Sequence, residues 1–119
     1  MTTYALLIYR TSPPSVQVPE LEEKQALIQH RAVQADAAAR KELHAVARLE
    51  GPAAAQVVRA RATGHDVTDG PFMETKEWLV GFYVVDCESE AQALARAKQI
   101  CSDPFHAVEV RPVEWRWRQ

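Results

Sequence analysis

Trp78-Leu79-Val80-Gly81-Phe82-Tyr83-Val84-Val85 carries the strongest strand signal in the chain, and it is apolar on both of its alternating faces. Successive side chains of a strand point to opposite sides of a sheet, so Trp78, Val80, Phe82 and Val84 oppose Leu79, Gly81, Tyr83 and Val85. A strand wetted on one side shows a polar residue at every second position. This one, continuing to Asp86, is predicted to be central, with cover on both faces.

The strand is entered through Asp69-Gly70-Pro71-Phe72-Met73-Glu74-Thr75-Lys76-Glu77. Asp bonds its own downstream backbone, Gly accepts unusual dihedrals and Pro holds its predecessor out of the α region, so the segment reads as a turn. Upstream, Gln56 to Thr63 alternates Val57, Arg59 and Arg61 with Val58, Ala60 and Ala62, and Gly64-His65 reads as a hairpin turn into Asp66-Val67-Thr68. The Asp-Gly-Pro-Phe segment thereby falls at the end of a β-ribbon. Glu42 to Glu50 reads as a further strand, closed by Gly51-Pro52.

The chain opens with Thr3 to Tyr9, a second strand apolar on both faces, followed by a loop containing Pro13 and Pro14. Pro19 and the carboxylates Glu20, Glu22 and Glu23 suit a helix start, and the spacing predicts a helix from about Pro19 to Arg40. Its expected apolar stripe is Leu21, Leu27 or Ile28, Ala32, Ala35 and Ala39. Ser89 and Gln92 have capping-box spacing ahead of a helix from Glu90 to Cys101, and Asp103-Pro104 ends it. Phe105 to Trp117 closes the chain as a strand, with Val113, Trp115 and Trp117 on one face and Val108, Val110 and Pro112 on the other; Pro112 lacks an N–H and predicts an edge position or a bulge.

The resulting order is that of a single α+β domain, most simply a ferredoxin-like split βαβ spanning residues 1–119. Two helices cover one face of one sheet. The other face, equally apolar, calls for a second copy, which predicts a homodimer with sheets packed face to face.

A net charge of −2 and a pI near 6.1 argue against nucleic acid as a partner, since phosphate binding needs a basic face. The first residues lack a basic leader, and no apolar run approaches a membrane span, so a cytoplasmic protein without membrane contact is expected. Cys87 and Cys101 flank a helix and are expected to stay reduced. No metal-ligand spacing, phosphate loop or nucleophile elbow is visible, and no cofactor is expected.

Candidate site residues gather around the ribbon end and the first helix. Asp69, Glu74, Lys76, Glu77 and His65 are suited to proton transfer or anion binding where burial and neighbouring charge tune them, against the plainer roles of turn cap and solvated surface. His30, in mid-helix, is either a rim residue or a site histidine. The expected pocket lies between sheet and helix, with His30 and Asp69 as catalytic residues and Tyr9, Glu74, Lys76 and Trp78 as ligand contacts. The three tryptophans also suit core or dimer interface.

The string Val67-Thr68-Asp69-Gly70-Pro71-Phe72-Met73-Glu74-Thr75-Lys76-Glu77, followed by Gly81-Phe82-Tyr83, resembles the signature of the DGPF proteins, a branch of the YCII-related family. The resemblance extends to Tyr4-Ala5-Leu6-Leu7-Ile8-Tyr9 and to Val108-Glu109-Val110-Arg111-Pro112-Val113. It implies a dimeric α+β barrel of ferredoxin-like subunits, a bacterial origin, and relatives often encoded beside extracytoplasmic-function sigma factors. It supplies no reaction. Some members are thought to carry a His and Asp pair in a cleft; His30 matches the His, whereas the corresponding stretch for the Asp reads Lys41-Glu42-Leu43. The usual glycine-rich segment before the Pro reads Ala47-Arg48-Leu49-Glu50-Gly51. Two functions follow as expectations: a small-molecule-binding protein or enzyme with its pocket near the DGPF loop, or a non-catalytic accessory that associates with a sigma factor.

Overall fold

The apolar alternation places four strands in one antiparallel sheet, ordered β2-β5-β1-β6, in a computed structural model that describes residues 1–13, 15–70 and 77–118. The elements are β1 (Thr2–Arg10), α1 (Glu20–Ala39), β2 (Leu43–Arg48), a 3-10 turn (Pro52–Ala54), β3 (Gln56–Arg61), β4 (Gly64–Asp69), β5 (Trp78–Cys87), α2 (Glu90–Ile100) and β6 (His106–Pro112). The two strands with two apolar faces, β1 and β5, are the central pair, and β6, which ends at Pro112, is an edge. This is a ferredoxin-like α+β fold into which the ribbon β3-β4 is inserted between β2 and β5.

Both helices cover one face. Tyr4, Leu6 and Ile8 of β1 and Tyr83, Val85 and Cys87 of β5 form the core with Val33, Ala37, Ala93 and Ile100. The alternate residues Ala5, Leu7, Tyr9, Phe82 and Val84 are only half-buried, on the face that carries no helix. Among the described residues the ribbon strands pair only with each other, and the chain's radius of gyration is 16.1 Å, against about 13.5 Å for a compact chain of this length. It stands off the main sheet.

The helix ends follow local rules. Ser89 caps α2, its Oγ accepting from the Gln92 N–H at 3.2 Å, while Gln92 Oε1 accepts from the Glu88 N–H at 2.6 Å. At the end of α1, Lys41 takes φ 59°; its N–H bonds the Ala38 carbonyl and that of Glu42 bonds the Ala37 carbonyl. This is a Schellman ending without glycine, at a cost of about 1 kcal/mol for the left-handed residue. It delivers the Glu42 carboxylate into the interior, where Arg96 of α2 meets it at 2.5 Å. The same guanidinium donates to the Asp86 carbonyl at 2.8 Å and contacts the buried Cys87 sulfur at 3.4 Å, tying α2 to β5 and to the start of β2.

Three local expectations need correction. The hairpin turn lies at Ala62-Thr63, because Arg61 pairs with Gly64; Gly64, at φ 140°, supplies the glycine-only conformation at the first residue of β4. The last strand stops at Pro112, and Trp115 and Trp117 are exposed at 77% and 68%. The buried stripe of α1 is Val33 and Ala37, whereas Leu21, Leu27 and Ile28 are exposed. The inward face of α1 also carries His30 and Gln34, so polarity along its sequence points to the wrong side.

Candidate functional site

A break in register builds the site. β1 and β5 pair regularly until Ile8 faces Gly81; then Tyr9 faces Leu79 and Arg10 faces Trp78, leaving Val80 as the extra residue. A bulge of this kind turns the side chains beyond it to the other face. Simple alternation places Trp78 with Val80 and Phe82 on the open face, but the bulge returns it to the helix-covered side. Arg10 also pairs with His106 of β6. Trp78, Arg10 and His106 therefore form a row across three strands at one end of the covered face.

The next row inward is Arg48, Gly81, Ile8 and Val108. Gly81 is required there: a Cβ would lie 2.7 Å from the Ala47 carbonyl oxygen. α1 roofs the two rows with Ala26, Leu27, His30 and Gln34, and together they line a half-open cavity of about 700 Å³, within the range of small-molecule sites. Its walls are mostly apolar, including Ile8, Val46, Leu49, Val80 and Ile100.

Two histidines line this cavity, and their partners give them opposite tautomers. His30 Nδ1 lies 2.7 Å from the Tyr83 hydroxyl, which also accepts from Gln34 Nε2 at 3.2 Å, and the two rings stack at 5.8 Å. With Tyr83 only 1% exposed, its own proton needs an acceptor, and among the described residues that acceptor is His30 Nδ1. The proton of neutral His30 is then on Nε2. His106 is the reverse. Its Nδ1 lies 2.9 and 3.1 Å from the two oxygens of Asp103, a buried carboxylate that also accepts from the Phe105 N–H at 2.8 Å. A carboxylate only accepts, so Nδ1 carries the proton, and in the neutral ring Nε2 keeps its lone pair.

Burial lowers the His30 pKa, and His106 when protonated and Arg48 lower it further, with Asp103 opposing. His30 is thus neutral at pH 7. Because its folded pKa is below the unfolded value near 6.5, the associated stability is present above that pH and declines as pH falls through the folded value. A histidine-selective NMR titration is expected to show the His30 midpoint below 6.5. In Tyr83→Phe the Nδ1 partner disappears, and the distribution of ring ¹⁵N shifts between tautomers changes with it.

The residues singled out from the sequence are distributed as follows. His30 and Trp78 line the cavity. Tyr9 is on the opposite face of the sheet, its hydroxyl 3.4 Å from Glu109. Asp69 is exposed at the end of β4, paired across the ribbon with Gln56, and does not line the cavity. Glu74 and Lys76 lie outside the described residues. Arg10, Arg48, Tyr83, Asp103 and His106 were not among the sequence candidates. Asp103 and His106 are three residues apart, a visible signal; Arg10 gave a weaker one, as a cation in phase with the buried residues of β1.

Among the described residues no three of His, Cys, Asp or Glu gather as metal ligands, and no helix is long and apolar enough to cross a membrane. Both cysteines are free thiols, and burial raises the pKa of Cys87.

The chain matches the family model for the YCII-related domain over residues 3–117. It is also 36% identical over 112 residues to an uncharacterised protein of Rhizobium meliloti (strain 1021), a match covering 92% of this chain and 90% of that protein. An antiparallel ferredoxin-like sheet, and a match of this extent along the whole fold, establish that the chain belongs to the YCII-related family.

Proposed function

We propose that the cavity binds a small organic molecule and transfers a proton at a carbon made acidic by an adjacent carbonyl. The observation that carries this reading is a pair of imidazoles lining one cavity, each with Nδ1 already engaged, which leaves for a ligand the Nε2 lone pair of neutral His106 and the Nε2–H of His30. His106, oriented by Asp103, takes the proton from carbon; the electron pair moves onto the carbonyl oxygen, where the His30 N–H stabilises the charge. Return of the proton from His106, or of another from solvent, completes the cycle. In this reading His30 has the catalytic role expected from the sequence, and Asp103 rather than Asp69 is its companion carboxylate.

The test is solvent exchange. Incubation with a panel of small carbonyl compounds in ²H₂O, followed by ¹H NMR, is expected to show loss of one C–H signal with the native protein and not with His106→Asn. Equal exchange by both proteins removes His106 as the base.

The half-buried open face supports the further proposal of a homodimer in which Leu7, Phe82 and Val84 pack against their copies. Light scattering is expected to give twice the 13.4 kDa chain mass. A stable monomer overturns the reading. Association with a sigma factor rests on the family resemblance alone, with no feature of the fold to favour it.

A further inference from the structure

We infer that the ligand of this cavity is a small carboxylate with an apolar body, held by Arg10. The inference rests on the proposed small-molecule pocket and names the class of molecule that it takes. Arg10 is fixed in the middle of the Trp78, Arg10 and His106 row by pairing on both sides. Its Nε donates to Ser12 Oγ at 3.2 Å, and its guanidinium carbon lies 5.8 Å from the Trp78 ring centroid. The terminal Nη2 is buried and has no hydrogen-bond partner. An unmet buried donor costs about 1–3 kcal/mol, more when charged. A ligand carboxylate meets it with a charge-assisted bond, and the planar guanidinium matches that group better than an ammonium would.

Charge and lining narrow the class. In the interior His30 is neutral and the Asp103 carboxylate is engaged by His106 and by the Phe105 N–H. Arg10 is the interior cation, while Arg48 is exposed at the mouth and Lys24 pairs with Glu20 on the rim, so one negative charge on a ligand suits Arg10. Glu20 and Glu23 belong to the exposed rim, where Glu20 pairs with Lys24 at 3.2 Å. A dianion such as phosphate would bring a second negative charge toward Asp103 and would leave the apolar wall of Ile8, Val46, Leu49 and Ile100 unfilled. A monocarboxylate carrying a hydrocarbon or aryl group uses both features.

Calorimetric titration tests this without requiring turnover. Phenylacetate, phenylacetamide and inorganic phosphate are titrated into the native protein, Arg10→Met and Arg10→Lys. The native protein is expected to bind phenylacetate on the order of 10- to 100-fold more tightly than the isosteric amide, the range of one charge-assisted hydrogen bond. Arg10→Met abolishes that preference while amide binding is unchanged, and Arg10→Lys restores only part of it. Equal affinity for acid and amide in the native protein overturns the inference, even if Arg10→Met fails to fold. Phosphate binding as tight as phenylacetate and dependent on Arg10 also overturns it, since the site would then select charge and not a carboxylate. The outcome is separable from the proton-transfer reading: His106→Asn is expected to retain the acid preference, and a carboxylate preference without exchange on any compound would retain this inference and reject the chemistry.

Discussion

Arg96→Ala is expected to destabilise the fold by about 3–5 kcal/mol, measured as a lower midpoint in urea unfolding. The size follows from what the substitution leaves behind. Glu42 is 2% exposed and Arg96 6% exposed, and the pair meets at 2.5 Å. Removing the guanidinium strands a buried carboxylate and also frees the Asp86 carbonyl from its donor. Asp36 approaches the same nitrogen at 3.6 Å, but it is half in solvent and loses little. A domain of this size has roughly 5–15 kcal/mol in total, so the loss is a large part of the whole.

The companion experiment is the double replacement Glu42→Leu with Arg96→Met. It removes both charges together and fills similar volume, and it is expected to recover most of the stability lost in Arg96→Ala. If Arg96→Ala unfolds at the native midpoint, the pair is not the tie between α2 and β2 described above. If the double variant is as unstable as the single one, the cost comes from packing around the Arg96 stem rather than from the unpaired charge.

Asp103→Asn is expected to lower the proton-exchange rate by about 10²–10⁴-fold, with unfolding within about 1 kcal/mol of the native protein. Asn is isosteric, and its carbonyl oxygen still accepts from the Phe105 N–H, as Asp103 does at 2.8 Å. Its amide, however, donates where the carboxylate accepted. The amide takes the place of the oxygen 3.1 Å from His106 Nδ1, while the oxygen at 2.9 Å still accepts there, and what is lost is the negative charge that favours the imidazolium formed when His106 takes up a proton. Binding of phenylacetate, which depends on Arg10, is expected to persist. A variant that keeps full exchange would show that the Asp103 charge does not assist His106.

The order of elements was legible because it rests on periodicities that few residues can disguise. Two strands apolar on both faces were expected at the centre, and Pro112 marked an edge position or a bulge; β1 and β5 are central and β6 is an edge. Ser89 and Gln92 named the start of α2 from local hydrogen bonding alone. The phase of α1 was not legible. Its inward face is interrupted by His30 and Gln34, whose partner is a tyrosine hydroxyl far away in sequence, and its outward face retains Leu21 and Ile28. A pattern rule that sends apolar residues inward turns such a helix the wrong way, and the side it misjudges is the one that lines the cavity.

The sequence by itself determined the class of fold, the central and edge strands and the family, since each depends on alternation, capping or a contiguous string of residues. Tertiary structure alone decided the site. One extra residue at Val80 turns Trp78 onto the covered face beside Arg10, and the antiparallel pairing of β1 with β6 brings His106 into the same row. A bulge changes which face a side chain occupies without changing composition or motif, so no reading along the chain places those three residues together.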